Sequence, residues 1–302
     1  MSKDLHSVFY GNTRGPIVHK WAHYIPIYER YLGSFRGKPI TMLEIGVNYG
    51  GSLHMWREYL GPQGRYIGVD ISNYCKRLEA DGFVIEIGDQ GSQAFWDRFK
   101  EQHPVLDIII DDGSHVPEHQ ILTFETLFPH LNEGGIYICE DVHTSYKHYF
   151  GGGFRKPSTF MEYAKGLTDE INAWWSEEPS QFFPTQLTRT CVGIHFYDSV
   201  VVFEKARRQE PYDVVMGDIS HASSDGGPLQ VKEVGGLRSF YRPMIEEKDM
   251  PPPSAYPRIG SSVNARIEAG LGSWEAGQLR SQVDDLNRRL SELEALVRND
   301  SS

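Results

Sequence analysis

Between residues 41 and 205, short apolar runs alternate with amphipathic stretches, and that alternation restricts the chain to βαβ units wound around a mostly parallel sheet. The runs fall at 42–46, 65–70, 83–87, 106–111, 135–140, 192–197 and 199–204. Only the turn around Tyr197 and Asp198 separates the last two. That is too short for a crossover helix, so they must pair antiparallel as a hairpin. The expected architecture is a doubly wound α/β fold with a seven-stranded, Rossmann-like sheet.

The flanks read differently. Residues 1–38 are rich in aromatics, with a helix expected over 17–32. Residues 206–272 gather Gly, Pro, Ser and Asp at 217–228. They also contain Met250-Pro251-Pro252-Pro253-Ser254, which suits neither a helix nor a central strand. An extended arm is expected there. In the last segment, 273–302, Leu279, Val283, Leu286, Leu290, Leu293 and Val297 recur at alternating spacings of four and three. That is a heptad seam with polar residues between, so a coiled-coil helix that makes a homo-oligomer is expected. A single amphipathic helix packed on its own domain is the alternative.

Composition narrows the partners. A formal net charge of -11 over 302 residues disfavours a nonspecific grip on nucleic acid or an anionic membrane, so neither is expected as a partner. Cys75, Cys139 and Cys191 are scattered and lack CxxC spacing, which argues for a reducing compartment and against a thiolate zinc site. The first residues carry no apolar signal core, and no apolar run reaches the roughly 18 residues that span a bilayer. A cytoplasmic location is expected.

The first strand ends in Leu43-Glu44-Ile45-Gly46-Val47-Asn48-Tyr49-Gly50-Gly51-Ser52, ahead of an amphipathic helix. Glycines at such a turn let backbone approach a ligand, and a helix N-terminus favours negative charge. The spacing departs from GxGxxG and looks like the E-x-G-x-x-x-G-G-S loop with which many methyltransferases wrap the methionine part of their cofactor. A purely structural strand-to-helix turn is the alternative. The second strand ends at Asp70, where a carboxylate can accept hydrogen bonds from both ribose hydroxyls. The third ends at Asp89 and Gln90, where an acid or amide can meet the adenine amino group. Three such positions in register on one sheet edge point to S-adenosylmethionine ahead of a nicotinamide dinucleotide.

The fourth strand runs into Asp111-Asp112-Gly113-Ser114-His115 and the fifth into Glu140-Asp141-Val142-His143. These strands are neighbours in a doubly wound sheet, so their acids converge and repel unless a cation neutralises them. Oxygen ligands without thiolates suit Mg²⁺ or Mn²⁺. Because strand residues alternate faces, one acid of each pair should face the cofactor. We expect Asp112 and Asp141 there, with Asp111 and Glu140 capping the following helices. His115, three residues past Asp112, is placed to take a proton from an incoming hydroxyl, and His143 competes for that role.

The Asp111–His115 run resembles the metal-dependent sugar O-methyltransferases of macrolide biosynthesis. So do Leu131-x-x-Gly134-Gly135-x-Tyr137-x-x-Glu140-Asp141 and the closing segment from Tyr197 to Lys205. These are class I S-adenosylmethionine-dependent enzymes, and the similarity spans about residues 15–205. It implies that Asp112 and Asp141 hold Mg²⁺ and that His115 is the base. A further acid completes the metal site, either Glu44 or Glu140. The segment from Val18 to Glu29 resembles the family's approach to its first strand, so Lys20, His23 and Tyr24 are expected to close over the cofactor, with aromatic packing as the alternative. The expected cofactor-binding set is then Lys20, Glu44, Gly46, Gly50, Ser52, Asp70, Asp89, Gln90 and Asp111. The implied activity is metal-assisted O-methylation of a small-molecule hydroxyl, on a sugar of a glycosylated natural product. A Rossmann-like oxidoreductase, disfavoured by the missing GxGxxG, and a non-catalytic dimeric scaffold are the alternatives. Phe150-Gly151-Gly152-Gly153-Phe154 reads as a lid, and Trp174-Trp175 as an acceptor wall.

Overall fold

A computed structural model describes residues 3–212 and 252–299. Its strands are β1 (Thr41–Ile45), β2 (Arg65–Asp70), β3 (Val84–Ile87), β4 (Ile108–Asp111), β5 (Ile136–Cys139), β6 (Cys191–Tyr197) and β7 (Val200–Lys205). They form one seven-stranded sheet in the order β3-β2-β1-β4-β5-β7-β6. The first five pair in parallel, and β7 lies antiparallel to both β5 and β6, as the short turn at Tyr197 requires. This is the class I methyltransferase sheet. The order in which strands are added reverses between β1 and β4, and this switch point opens a crevice beyond their carboxyl ends.

Helices cover both faces. On one side α1 (Leu5–Gly11), α2 (Ile25–Leu32) and α3 (Gly51–Leu60) bring Leu5, Tyr28, Leu53 and Trp56 against Met42, Ile108, Ile110, Ile136, Ile138 and Val202. On the other, α4 (Gln93–Gln102), α5 (Pro117–Leu127) and α6 (Phe160–Glu170) pack Trp96, Phe99, Phe124 and Phe160 on Leu43, Ile45, Ile109, Tyr137 and Phe203. The two sets interleave residue by residue along each strand, as a period of two demands. Phe124 sits at the centre of its layer, with ring centroids 4.2 Å from Phe203 and 5.2 Å from Tyr137. Truncating it to alanine would cost about 3–5 kcal/mol.

Two expectations are corrected. The helix foreseen over 17–32 is only a 3-10 turn (Ala22–Tyr24) followed by α2, because Pro26 occupies the first turn and nothing upstream caps a longer helix. Residues before it instead cross the start of α3, where Gly51 leaves room for the carbonyl of Ile17. At the other end, beyond the short α7 (Gln186–Thr190), the last helix, α8 (Ser261–Asn299), begins at Ser261 rather than at 273. Its first turns are docked on the domain. Ile259 and Val263 are buried in the α5/α6 layer, and Asn264 Nδ2 donates to Glu125 Oε1 at 2.8 Å. Further along, Leu279, Val283 and Leu286 are exposed. The side chains of Leu290, Leu293 and Val297, like residues 217–228 of the expected arm, lie outside the described residues. Among the described residues, no helix is long and apolar enough to cross a membrane.

Candidate active site

The cofactor edge is built by glycine and one carboxylate. Gly46 leaves β1 at φ +85°, and a Cβ there would stand 1.9 Å from the carbonyl of Asp112, so only glycine permits the turn. Gly50, at φ +82°, precedes α3. Asp70 Oδ2 accepts the backbone N–H of Val47 at 3.0 Å and of Asn48 at 2.9 Å, which pins the loop. A cleft of about 350 Å³ lies above, lined by Ile17, Lys20, Gly46, Ser52, Asp70 and Asp112 among others. A smaller cavity of about 220 Å³ adjoins it through Gly46, Asp70 and Gly113, and reaches Asp89, Gln90 and His119. Together they follow the three strand ends, as an extended nucleoside ligand would.

Two expected contacts are used differently. The amide of Gln90 is consumed inside the protein: Nε2 donates to Asp111 Oδ1 at 2.7 Å, and Oε1 accepts from Ser114 N at 2.8 Å. Asp89 is the more exposed of the pair, and its Oδ1 closes a turn by accepting from Gly91 N. Asp111 caps no helix and does not reach the larger cleft. It is fully buried behind Gln90, also accepts from the Tyr137 hydroxyl, and burial pushes its carboxyl up to about 7.

The opposite side of the same strand ends holds a charge cluster. Glu44, Asp112 and Glu140 share the parity of Met42, Ile110 and Ile138, so all three point to the α2/α3 face. Lys20 enters among them. Its Nζ lies 2.6 Å from Asp112 Oδ2, 2.9 Å from Glu140 Oε2 and 3.7 Å from Glu44 Oε1, with its side chain only 2% exposed. Burial works against the ammonium, yet the three carboxylates outweigh it and hold Lys20 charged well above its usual range. Burial in turn raises Glu140 and Glu44, an effect that Lys20 opposes in both. Glu44 also accepts from Ser52 Oγ and Trp56 Nε1. Neither Glu140 nor Asp111 acts as the helix cap expected of it, since α5 and the turn after β5 carry no side-chain cap bond.

Strand parity would thus select Asp112 and Glu140, not Asp112 and Asp141. Asp141 reaches the site another way: its backbone is left-handed, at φ +52°, which swings the carboxylate back over the strand end. There Tyr24 Oη donates to Asp141 Oδ1 at 2.6 Å. His115 is also left-handed, at φ +56°, and its carbonyl accepts from Thr144 Oγ1. Its Nε2 stands 3.8 Å from Asp112 Oδ1 and 3.6 Å from Asp141 Oδ2. Asn48, at φ +49° in the glycine loop, is a third such residue. Left-handed non-glycine residues are uncommon and costly, and here three surround one cleft.

Asp112, His115 and Asp141 can each offer a ligand atom within 4.8 Å of the others. A divalent cation fits between the two carboxylates, which converge near His115 Nε2, while the buried Nδ1 of the same ring has no hydrogen-bond partner among the described residues. His143 lies beside the centre rather than in it. Its Nδ1 pairs with Ser199 Oγ, it stands 3.9 Å from Asp141, and burial lowers its affinity for a proton. Lys20 as a counter-ion, the Tyr24 bond to Asp141 and the three left-handed residues were not foreseen. The one available signal was the pairing of a lone lysine with several tyrosines just before an acid-rich sheet edge.

Residues 43–142 match the methyltransferase domain family model. The chain is 37% identical over 203 residues to an 8-demethyl-8-(2-methoxy-alpha-L-rhamnosyl)-tetracenomycin-C 3'-O-methyltransferase of Streptomyces olivaceus, covering 63% of this chain and 51% of that protein. It is 34% identical over 197 residues to the mycinamicin VI 2''-O-methyltransferase of Micromonospora griseorubida, covering 62% and 49%. The chain therefore spans about half the length of the curated relatives it matches. Among solved structures, a methyltransferase of the mycinamycin biosynthetic pathway in complex with Mg and SAH superposes with a TM-score of 0.62 at 32% identity, covering 75% of this chain and 60% of that one.

Proposed function

We propose, taking residues 43–142 as the methyltransferase domain that their family match makes them, that this chain transfers the methyl group of S-adenosylmethionine to a hydroxyl of a small molecule, with the help of a divalent metal. The acceptor we infer is a sugar on a glycosylated natural product, the class named for the relatives. The observation that carries the reading is the meeting of Asp112, His115 and Asp141 at the edge of the cofactor cleft.

In this reaction the acceptor oxygen attacks the sulfonium methyl carbon. The carbon–sulfur bond breaks with its electron pair going to sulfur, and the hydroxyl proton goes to His115 Nε2. Asp70 and the Gly46–Gly50 loop hold the donor, so that attack is in line and the entropy of bringing two molecules together is met by binding. Mg²⁺ or Mn²⁺, held by Asp112 and Asp141 with Glu140 as the third acid, would orient the hydroxyl and make it more acidic. Tyr24 fixes the Asp141 carboxylate, and Lys20 fixes those of Asp112 and Glu140. Trp21, half exposed and edge-on to His143, stands at the mouth where an acceptor enters.

Chelation should abolish methyl transfer, and added Mg²⁺ or Mn²⁺ should restore it. Asp112→Asn and Asp141→Asn should each lose at least a hundredfold in rate while binding S-adenosylhomocysteine as the wild type does. Full activity in excess EDTA would remove the metal from the account.

We further infer that the chain works in the cytoplasm and self-associates through the end of α8, where Leu279, Val283 and Leu286 stay exposed on one stripe. Apolar side chains repeated at this spacing need a second helix to exclude water.

A further inference from the structure

The segment following the metal acids, residues 147–158, borders the acceptor side of the site. Phe150 lies 6.3 Å from His115, ring centroid to ring centroid, and Tyr149 and Phe154 are largely exposed. This segment contains Gly151, Gly152 and Gly153 in a row, the composition hardest to hold in one conformation. Its own bonds fold it back on the strand end: Gly153 N donates to the Ser145 carbonyl and Gly152 N to that of Lys147. Arg155 nevertheless sits at φ +56°, a strained position that persists only where surrounding contacts over-determine it.

Trp274 of α8 supplies such contacts. Its Nε1 donates to the Phe154 carbonyl at 3.0 Å, immediately before the strained residue. Its ring covers Gly153 so closely that a Cβ there would stand 2.7 Å from Cζ2. Lys156 Nζ lies 5.5 Å from the ring centroid, and the same lysine donates to the Gly151 carbonyl. One side chain from the C-terminal helix thus touches three residues of the glycine loop.

Resting on the methyltransferase reading above, we propose that Trp274 is a positioning residue for the acceptor. By clamping residues 153–156 it fixes Phe150 beside His115, and so shapes the wall against which a sugar hydroxyl is presented. The cofactor cleft, on the other side of the metal acids, does not depend on it. The C-terminal helix thereby takes part in choosing the acceptor as well as in self-association.

The test compares Trp274→Ala, Trp274→Phe and a chain ending at residue 278, with 8-demethyl-8-alpha-L-rhamnosyl tetracenomycin-C and mycinamycin VI as probe acceptors. Trp274→Ala should raise the acceptor KM at least fivefold, with kcat at saturation and the Kd of S-adenosylhomocysteine within twofold of wild type. Trp274→Phe, which keeps the ring, should recover part of the loss, and the shortened chain should behave as wild type. Limited trypsin digestion adds a readout that needs no activity: the Arg155–Lys156 bond should be cut several-fold faster in Trp274→Ala. Faster cutting with an unchanged KM would show a merely structural contact and overturn the proposal, as would an equal loss of cofactor affinity. A wild-type protein inert with both acceptors would overturn the functional reading beneath it, and the cleavage rates would then report on the clamp alone.

Discussion

Lys20 carries a full charge into a site walled by acids, and the energetics of that placement explain how the site exists before any metal arrives. Glu44, Asp112 and Glu140 converge on one face, and two of them are completely buried. Uncompensated, such a group would hold protons or stay apart. One ammonium within about a hydrogen bond of Asp112 and Glu140 lets them lie together and leaves Asp112 and Asp141 oriented toward the crevice. Removing one partner of a buried charge cluster costs about 3–5 kcal/mol. Lys20→Met should therefore lower the melting temperature by roughly 10 °C in scanning calorimetry, given about 2–4 °C per kcal/mol for a protein of this size. A melting temperature within a degree of wild type would mean that the three acids are not held by Lys20.

Strands were legible because burial on both faces of a parallel sheet writes itself as apolar runs, and each of the seven runs overlaps one observed strand. The hairpin of β6 and β7 followed from loop length alone. At the ends of β4 and β5 the same logic reached its limit. Alternation correctly sends Asp111 and Asp112 to opposite faces, but it sends Glu140, not Asp141, to the side of Asp112. A left-handed residue breaks the period, and nothing in a single sequence marks Asp141 or His115 as left-handed, since no glycine stands there. The role of Gln90 was hidden for a related reason: its amide is satisfied by Asp111 and Ser114, partners that only the packed sheet brings within reach. The start of α8 was missed because its first turns carry small and polar residues whose docking partners, Glu125 and the α6 layer, lie far away in sequence.

As a whole the molecule joins the seven-stranded sheet to a long helix, α8, whose two ends differ in what they touch. The first turns are anchored by Ile259, Val263 and Asn264, and Trp274 reaches the glycine loop. Beyond that point the exposed apolar stripe begins. Deleting residues 279–302 should lower the molecular mass measured by light scattering while leaving S-adenosylhomocysteine affinity unchanged, because among the described residues none of that stretch lines the cleft. A truncated protein of unaltered oligomeric mass would place any self-association elsewhere. Crystals grown with Mn²⁺ and S-adenosylhomocysteine would show whether a divalent ion and the methyl donor meet at the ends of β4 and β5. An anomalous peak should bridge Asp112 and Asp141, with the nucleoside extending past Asp70. A well-ordered nucleoside in that cleft with no anomalous peak at the two aspartates would contradict the proposed metal site.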